Sequence, residues 1–167
     1  PNSYDIVLTN PPFGAKIPVV GEHLLKQYKL GQIWKNDSGD WINTKKIRDK
    51  QSPQVLFIER CIQLLKDKGK MGIVLPDGIF GNPSDKYIWQ YIKSECSIFG
   101  IVSLAQETFQ PSTHTKTSVL FVEKNKSQKK SVFMGIAENI GHNKNGKPLY
   151  KMDKLGEPIQ DKKGKKI

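Results

Sequence analysis

The run Tyr4-Asp5-Ile6-Val7-Leu8-Thr9-Asn10-Pro11-Pro12-Phe13 decides how the rest of the chain is read. Its first six residues form a short, mostly apolar, β-rich run, the pattern of a strand buried in a parallel sheet. Asn10-Pro11-Pro12 ends it, because neither proline has an N–H to give to a neighbouring strand. In open α/β sheets, ligands bind beyond the C-terminal ends of the strands, which is where Asn10 to Phe13 fall. Asn10 offers a side-chain oxygen. A residue before proline is held extended, so Asn10 and Pro11 are both restricted and the Pro11 carbonyl is held in place. Phe13 adds a flat apolar face. Two fixed acceptors beside a stacking surface suit a planar ring bearing an –NH₂, with an adenine amine as the obvious candidate. That nitrogen is a poor nucleophile, since its lone pair is delocalised into the ring. Accepting both of its hydrogens draws it toward a pyramidal geometry and stabilises the positive charge that develops on it, and positioning does the rest. The plain alternative is a strand ending in a proline-rich turn.

Downstream, residues 14–51 read as an irregular insert or lid, with a short helix near Glu22–Leu30. Ser52-Pro53 opens a helix, Ser52 as cap and Pro53 in the first turn. Val55, Ile58, Cys61, Ile62 and Leu65 share one face at helical spacing, and Gly69 is expected to stop it. Met71–Pro76 reads as a second strand and Asp77–Pro83 as a loop. Ser84 is the expected cap of a second amphipathic helix carrying Ile88, Tyr91, Ile92 and either Glu95 or Cys96 inward. Residues 98–104 read as a third strand, Ala105–Lys116 as a polar loop and Thr117–Val122 as a fourth strand. Strands alternating with helices imply an α/β fold with a mostly parallel sheet. The last two strands, joined without a helix, are expected to form an antiparallel hairpin at the sheet edge. Ser131–Ala137 fits one more strand and Gly141–Lys147 a turn. From Lys151 onward the sequence reads as disordered or a linker, and no internal repeat is evident.

Charge divides the chain. Residues 1–123 carry 15 Lys/Arg against 12 Asp/Glu, whereas residues 124–167 carry 12 Lys against 4 Asp/Glu. The first 124 residues therefore read as a folded domain and 125–167 as a basic extension. Excess positive charge attracts polyanions, nucleic acid above all. Lysine rather than arginine favours phosphate contacts over base-edge readout. Cys61 and Cys96 read as small buried hydrophobes in a reducing compartment. No apolar run approaches the roughly 20 residues of a membrane span, and no signal peptide is evident, so a cytoplasmic location is expected. His23, His114 and His142 show no metal spacing.

The stretch "YDIVLTNPPFG" resembles motif IV of the S-adenosylmethionine-dependent amino-methyltransferases. It is most similar to the adenine-specific DNA methylases of restriction–modification systems, particularly type I modification subunits. The resemblance extends over about residues 1–150: "LLKDKGKMGIVLPDGIFGN" and "ETFQPSTHTKTSVLFVEK" resemble the family's following segments. It implies a partial Rossmann-like methyltransferase sheet, S-adenosylmethionine as cofactor, and DNA as substrate. Specificity and restriction subunits, or fused domains, are the implied partners, and the basic extension 125–167 is implied to lead toward a target-recognition region. It also implies roles. Asn10 and the Pro11 carbonyl accept from the target amine, with Pro12 in the same corner and Asn10 next to the methyl donor. Phe13 stacks on an adenine flipped out of the duplex, Phe109 holds that base from another side, and Lys116 and Thr117 lie near the DNA. The family's glycine-rich cofactor motif, which precedes motif IV, is absent. The chain thus reads as the C-terminal half of a catalytic domain, beginning at Pro1 almost on top of the motif, and is expected to be inactive alone. Two other enzyme types share the motif: methylases of ribosomal RNA bases and of protein glutamine. A non-catalytic DNA-binding or assembly module is the rival of a different class.

Overall fold

In a computed structural model of the chain, the described residues are 1–13, 17–127 and 131–167. The first three residues of the 14–51 insert and Gln128–Lys130 of the basic extension lie outside them. Tyr4–Thr9 is strand β1. The insert then holds β2 (Val19–Val20), α1 (Glu22–Leu25), β3 (Gln32–Asp37), β4 (Asp40–Ile47) and β5 (Lys50–Gln51). After it come α2 (Pro53–Leu64), β6 (Leu65–Pro76), α3 (Asp77–Gly81), a single 3₁₀ turn (Pro83–Asp85), α4 (Lys86–Glu95), β7 (Ser97–Ser103), β8 (Thr117–Glu123) and β9 (Phe133–Ile136).

Five strands make the main sheet in the order β1-β6-β8-β7-β9. β1 runs parallel to β6 and β7 parallel to β9, while β8 runs antiparallel to both of its neighbours, β6 and β7. Four strands thus share one direction and β8 alone is reversed. The expected hairpin of β7 and β8 forms, but not at the edge. β8 slots between β6 and β7, with Pro76 opposite Thr117 and Ser103 opposite Ser118, and β9 covers the far side of β7. The alternation of buried residues along β8 shows why it belongs in the middle: Leu120 and Val122 are wholly buried beneath the helices. β1 is the outermost strand on the other side, with Tyr4, Ile6 and Leu8 each more than half exposed.

The core lies between this sheet and α2 and α4. Val55, Ile58, Cys61, Ile62 and Leu65 are buried as the helical spacing requires, as are Tyr87, Ile88, Tyr91, Ile92 and Cys96 from the second helix. Burial alone pushes the Cys61 thiol up to about 11. It is also the main cause of the rise of Cys96 to about 12, so both behave as small apolar groups.

Four local expectations need correcting. First, α2 stops at Leu64, not at Gly69, because Leu65 is already extended and starts β6. Gly69 instead sits in that strand, where a Cβ would come within 2.9 Å of the Lys66 carbonyl and 3.0 Å of the Tyr4 carbonyl. Second, neither Ser52 nor Ser84 caps with its side chain. Ser52 holds the cap position with its backbone only, and Ser84 falls inside the 3₁₀ turn, leaving Asp85 at the start of α4. Third, Asp77–Gly81 is a short helix rather than loop. Fourth, residues 17–51 of the insert form regular elements. α1 covers only Glu22–Leu25, and β3 and β4 form a hairpin whose two-residue turn, Ser38-Gly39, takes positive φ at both positions. Trp34 and Trp41 from this hairpin pack on Tyr87 of α4, at ring-centroid distances of 6.3 and 5.9 Å. The buried Glu59 of α2 accepts the backbone N–H groups of Lys29 and Leu30, at 2.9 and 2.7 Å, and so ties the insert to the core.

The segment after β9 departs furthest from its reading as a turn followed by disorder or a linker. Residues 141–149, 151–159 and 159–167 are three copies of one tight turn. In each, an Asn or Asp (Asn143, Asp153, Asp161) donates its N–H to the carbonyl four residues on, and a positive-φ glycine (Gly146, Gly156, Gly164) returns an N–H to it. A repeat is therefore present, in the backbone.

Candidate functional site

The C-terminal ends of β1, β6 and β7 and the N-terminal start of β8 meet at one end of the sheet, because β8 alone is reversed. Asn10 leaves β1 there. Its side chain is exposed and has no hydrogen-bond partner among the described residues; Pro11 behind it is buried and Phe13 half-buried. The loop 105–116 joins β7 to β8 over the same end. It is held by its own bonds: Thr108 Oγ1 donates to the Ala105 carbonyl at 2.7 Å, Gln106 Nε2 to the His114 carbonyl at 2.7 Å, and the Thr113 N–H to the Phe109 carbonyl at 3.0 Å. This loop sets Phe109 against Phe13. The two rings lie 5.3 Å apart between centroids, inclined at 68°, an edge-to-face pair. Residues 96 positions apart in the chain are thus brought to one place.

The other candidates sit differently. The Lys116 ammonium does not reach outward; it donates to Ser103 Oγ at 2.7 Å and to the Leu104 carbonyl, stapling the loop's far end to β7. Thr117 is 1% exposed, and its hydroxyl has no partner among the described residues. Asp77, not singled out from the sequence, stands at the end of β6 beside this corner. Its carboxylate accepts from Ser118 Oγ at 2.8 Å and its N–H donates to the Lys116 carbonyl at 3.0 Å. The signal for it was its place, the first residue after a strand ending in proline, which mirrors Asn10 after Thr9.

Comparison with known proteins now gives this geometry a context. Residues 1–161 match the family described as N-6 DNA Methylase. The chain belongs to that family. It is 32% identical over 130 residues to the type I restriction enzyme EcoEI methylase subunit of Escherichia coli, covering 77% of this chain and 23% of the relative. It is 24% identical over 137 residues to the type II methyltransferase M.BstVI of Geobacillus stearothermophilus, covering 82% and 22%. The chain therefore spans less than a quarter of the curated relatives it matches. Among solved structures, a class I S-adenosylmethionine-dependent methyltransferase of Listeria monocytogenes superposes with a TM-score of 0.62 at 20% identity, over 83% of this chain and 38% of that one. A type I restriction-enzyme modification subunit of Vibrio vulnificus gives 0.62 at 16% identity, over 99% and 37%. These likenesses establish the class I methyltransferase fold.

S-adenosylmethionine is the cofactor of this N-6 DNA methylase family. The described residues do not build its cradle. Gly69 and Gly72 lie within β6 and are used for close packing; a Cβ on Gly72 would meet Leu8 Cδ2 at 2.9 Å and the Phe121 ring at 3.1 Å. Gly78 and Gly81 lie inside α3 rather than in a turn preceding it. What the described residues place at this end of the sheet is an exposed Asn10 where β1 ends and the Phe13–Phe109 ring pair three residues further along.

Proposed function

We propose that this chain forms the base-handling half of a site-specific DNA adenine methyltransferase of a restriction–modification system, acting on the exocyclic amine of a flipped adenine. The observation that carries this reading is the pairing of Phe13 with Phe109 next to the exposed Asn10 amide. An adenine drawn out of the duplex enters beside Phe13, with Phe109 against it from a second direction. Asn10 Oδ1 and the Pro11 carbonyl accept its two amine hydrogens. This withdraws the nitrogen lone pair from the ring and stabilises the charge that develops as the nitrogen gains a methyl group. S-adenosylmethionine supplies that methyl group when bound. DNA is the macromolecular partner, and specificity and restriction subunits or fused domains complete the assembly.

Asn10→Ala in the intact enzyme tests this. One lost preorganised contact of this kind costs about 10²–10³ in turnover, so kcat should fall by that range. DNA affinity should change little, because the amide contacts one amine and no phosphate. N6-methyladenine released from digested DNA is the readout. Methylation of DNA at an undiminished rate would remove Asn10 from the reaction, and methyl transfer to RNA or a protein glutamine in place of DNA would overturn the substrate.

A further inference from the structure

The three turns after β9 share a backbone, a cap and a charge. With the base residue as position one, positions one and nine are Gly141/Leu149, Lys151/Ile159 and Ile159/Ile167, each closed by an N–H-to-carbonyl bond of 2.8–3.0 Å. Position three is Asn143, Asp153 or Asp161. Its side-chain Oδ1 accepts two backbone N–H groups, those of Asn145 and Lys147, of Leu155 and Glu157, and of Lys163 and Lys165, at 2.8–3.1 Å. Position six is the positive-φ glycine. The position after the cap, at the tip of each turn, is always lysine: Lys144, Lys154 and Lys162, all exposed. The second and third turns are also joined end to end, since the Lys151 N–H donates to the Ile167 carbonyl at 2.7 Å. Residues 141–167 hold eight Lys and three Asp/Glu. Two of those three acids, Asp153 and Asp161, turn their carboxylates onto backbone N–H groups.

The first turn is also seated on the candidate site's own loop. A Cβ added at Gly146 would lie 3.5 Å from Pro111, two residues beyond Phe109. Glu107 of that loop shares a cleft with His142, Asn143 and Lys144. The first of the lysine-tipped turns therefore lies against the base-handling loop, and the bases of the other two, Lys151, Ile159 and Ile167, are bonded to one another.

The geometry points to a phosphate-gripping comb: three capped turns that present Lys144, Lys154 and Lys162 to phosphates of the duplex flanking the flipped base. The DNA identity of the partner rests on the family reading above; the comb itself rests on the repeat. Lysine ammonium groups act as point charges toward phosphate and carry no base-edge readout. The comb would therefore hold and orient the duplex irrespective of its sequence. The Asn and Asp caps matter because a disordered lysine tail would lose more conformational freedom at each contact than turns already fixed.

Two triple variants of the full chain test the comb. Binding is followed by fluorescence anisotropy with a labelled random-sequence duplex of about 30 base pairs, without cofactor and across a range of salt. Each phosphate neutralised adds about 0.9 to the slope of log affinity against log salt. K144Q/K154Q/K162Q should lower that slope by up to about 2.7. N143A/D153A/D161A removes two negative charges, so a merely cationic tail would bind DNA more tightly. The comb requires weaker binding, by about threefold or more, from loss of the preset turns. The caps bond only within their own turns, so the sheet should melt unchanged in this variant. An unchanged salt slope in the lysine variant, tighter or equal binding in the cap variant, or preferential competition by single-stranded RNA would each overturn the proposal. Methylation is not read in this assay, so failure of the Asn10 chemistry leaves its outcome intact.

Discussion

Replacing Lys116 with methionine separates a structural lysine from a DNA-contacting one. Lys116→Met keeps the unbranched stem and deletes the ammonium, which leaves Ser103 Oγ and the Leu104 carbonyl without their donor. A hydrogen bond from a charged group contributes about 1.5–3 kcal/mol. The side chain is only half-buried, and the Ser103 hydroxyl can rotate to water, so the two bonds together are worth about 2 kcal/mol. For a chain of this size each kcal/mol moves the melting midpoint by about 2–4 °C. The variant should therefore melt about 4–8 °C lower in a circular-dichroism scan. Its salt slope for duplex DNA should match the wild type, because the ammonium is turned onto β7. An unchanged midpoint together with a slope reduced by about 0.9 would refute this and return Lys116 to the phosphates.

Glu59→Gln should destabilise the chain by about 1–3 kcal/mol, since an amide nitrogen would then face a backbone N–H of Lys29 or Leu30. Burial is the main cause of a Glu59 pKa above its ordinary 4.5. A raised folded-state pKa gives stability that is fully present below 4.5 and is lost as pH rises through the folded value. The wild-type advantage over the variant should accordingly narrow from acid toward neutral pH in urea melts. Gly31→Ala would place a Cβ 2.2 Å from the Leu25 carbonyl. A loss of about 2–3 kcal/mol and faster tryptic cleavage between Lys26 and Lys50 are expected. Phe109→Ala should lower kcat/KM for a DNA substrate by about tenfold, from a base–aromatic stacking energy of about 1–3 kcal/mol, with Phe109→Tyr restoring most of it in the same methylation assay.

The main-sheet elements were legible because each is a short apolar run or an amphipathic stripe. Ile73, Leu75, Leu120 and Val122 declare their strands, and Ile58, Ile62, Ile88 and Ile92 their helices. Helix ends were less legible: Leu65 turns extended before Gly69 is reached, because β6 must begin early enough to pair with Tyr4. In the insert, the hairpin signal was present as Ser38-Gly39 between two tryptophan-bearing runs, but charges of both signs hid the alternation. The partners of Lys116 could not be read at all, since Ser103 and Leu104 reach it only after β8 has folded back along β7. The three terminal turns carry no apolar pattern that would mark them in the sequence. What repeats is an Asn or Asp followed three residues later by glycine, at intervals of ten and then eight residues. The corner at Asn10 to Phe13 was readable from local chemistry, whereas its meeting with Phe109 followed from the family likeness and is realised by the loop's own hydrogen bonds.

The inverted direction of β8 has one more outcome. Both stalks of the 105–116 loop rise from neighbouring strands at the same rim of the sheet, so the segment between them is hung like a basket from two fixed handles. Residues can be added, removed or swapped in the basket without shifting the pairing of any strand beneath. The face that Phe109 presents can therefore be re-cut while Asn10 at the adjoining strand end stays where it is.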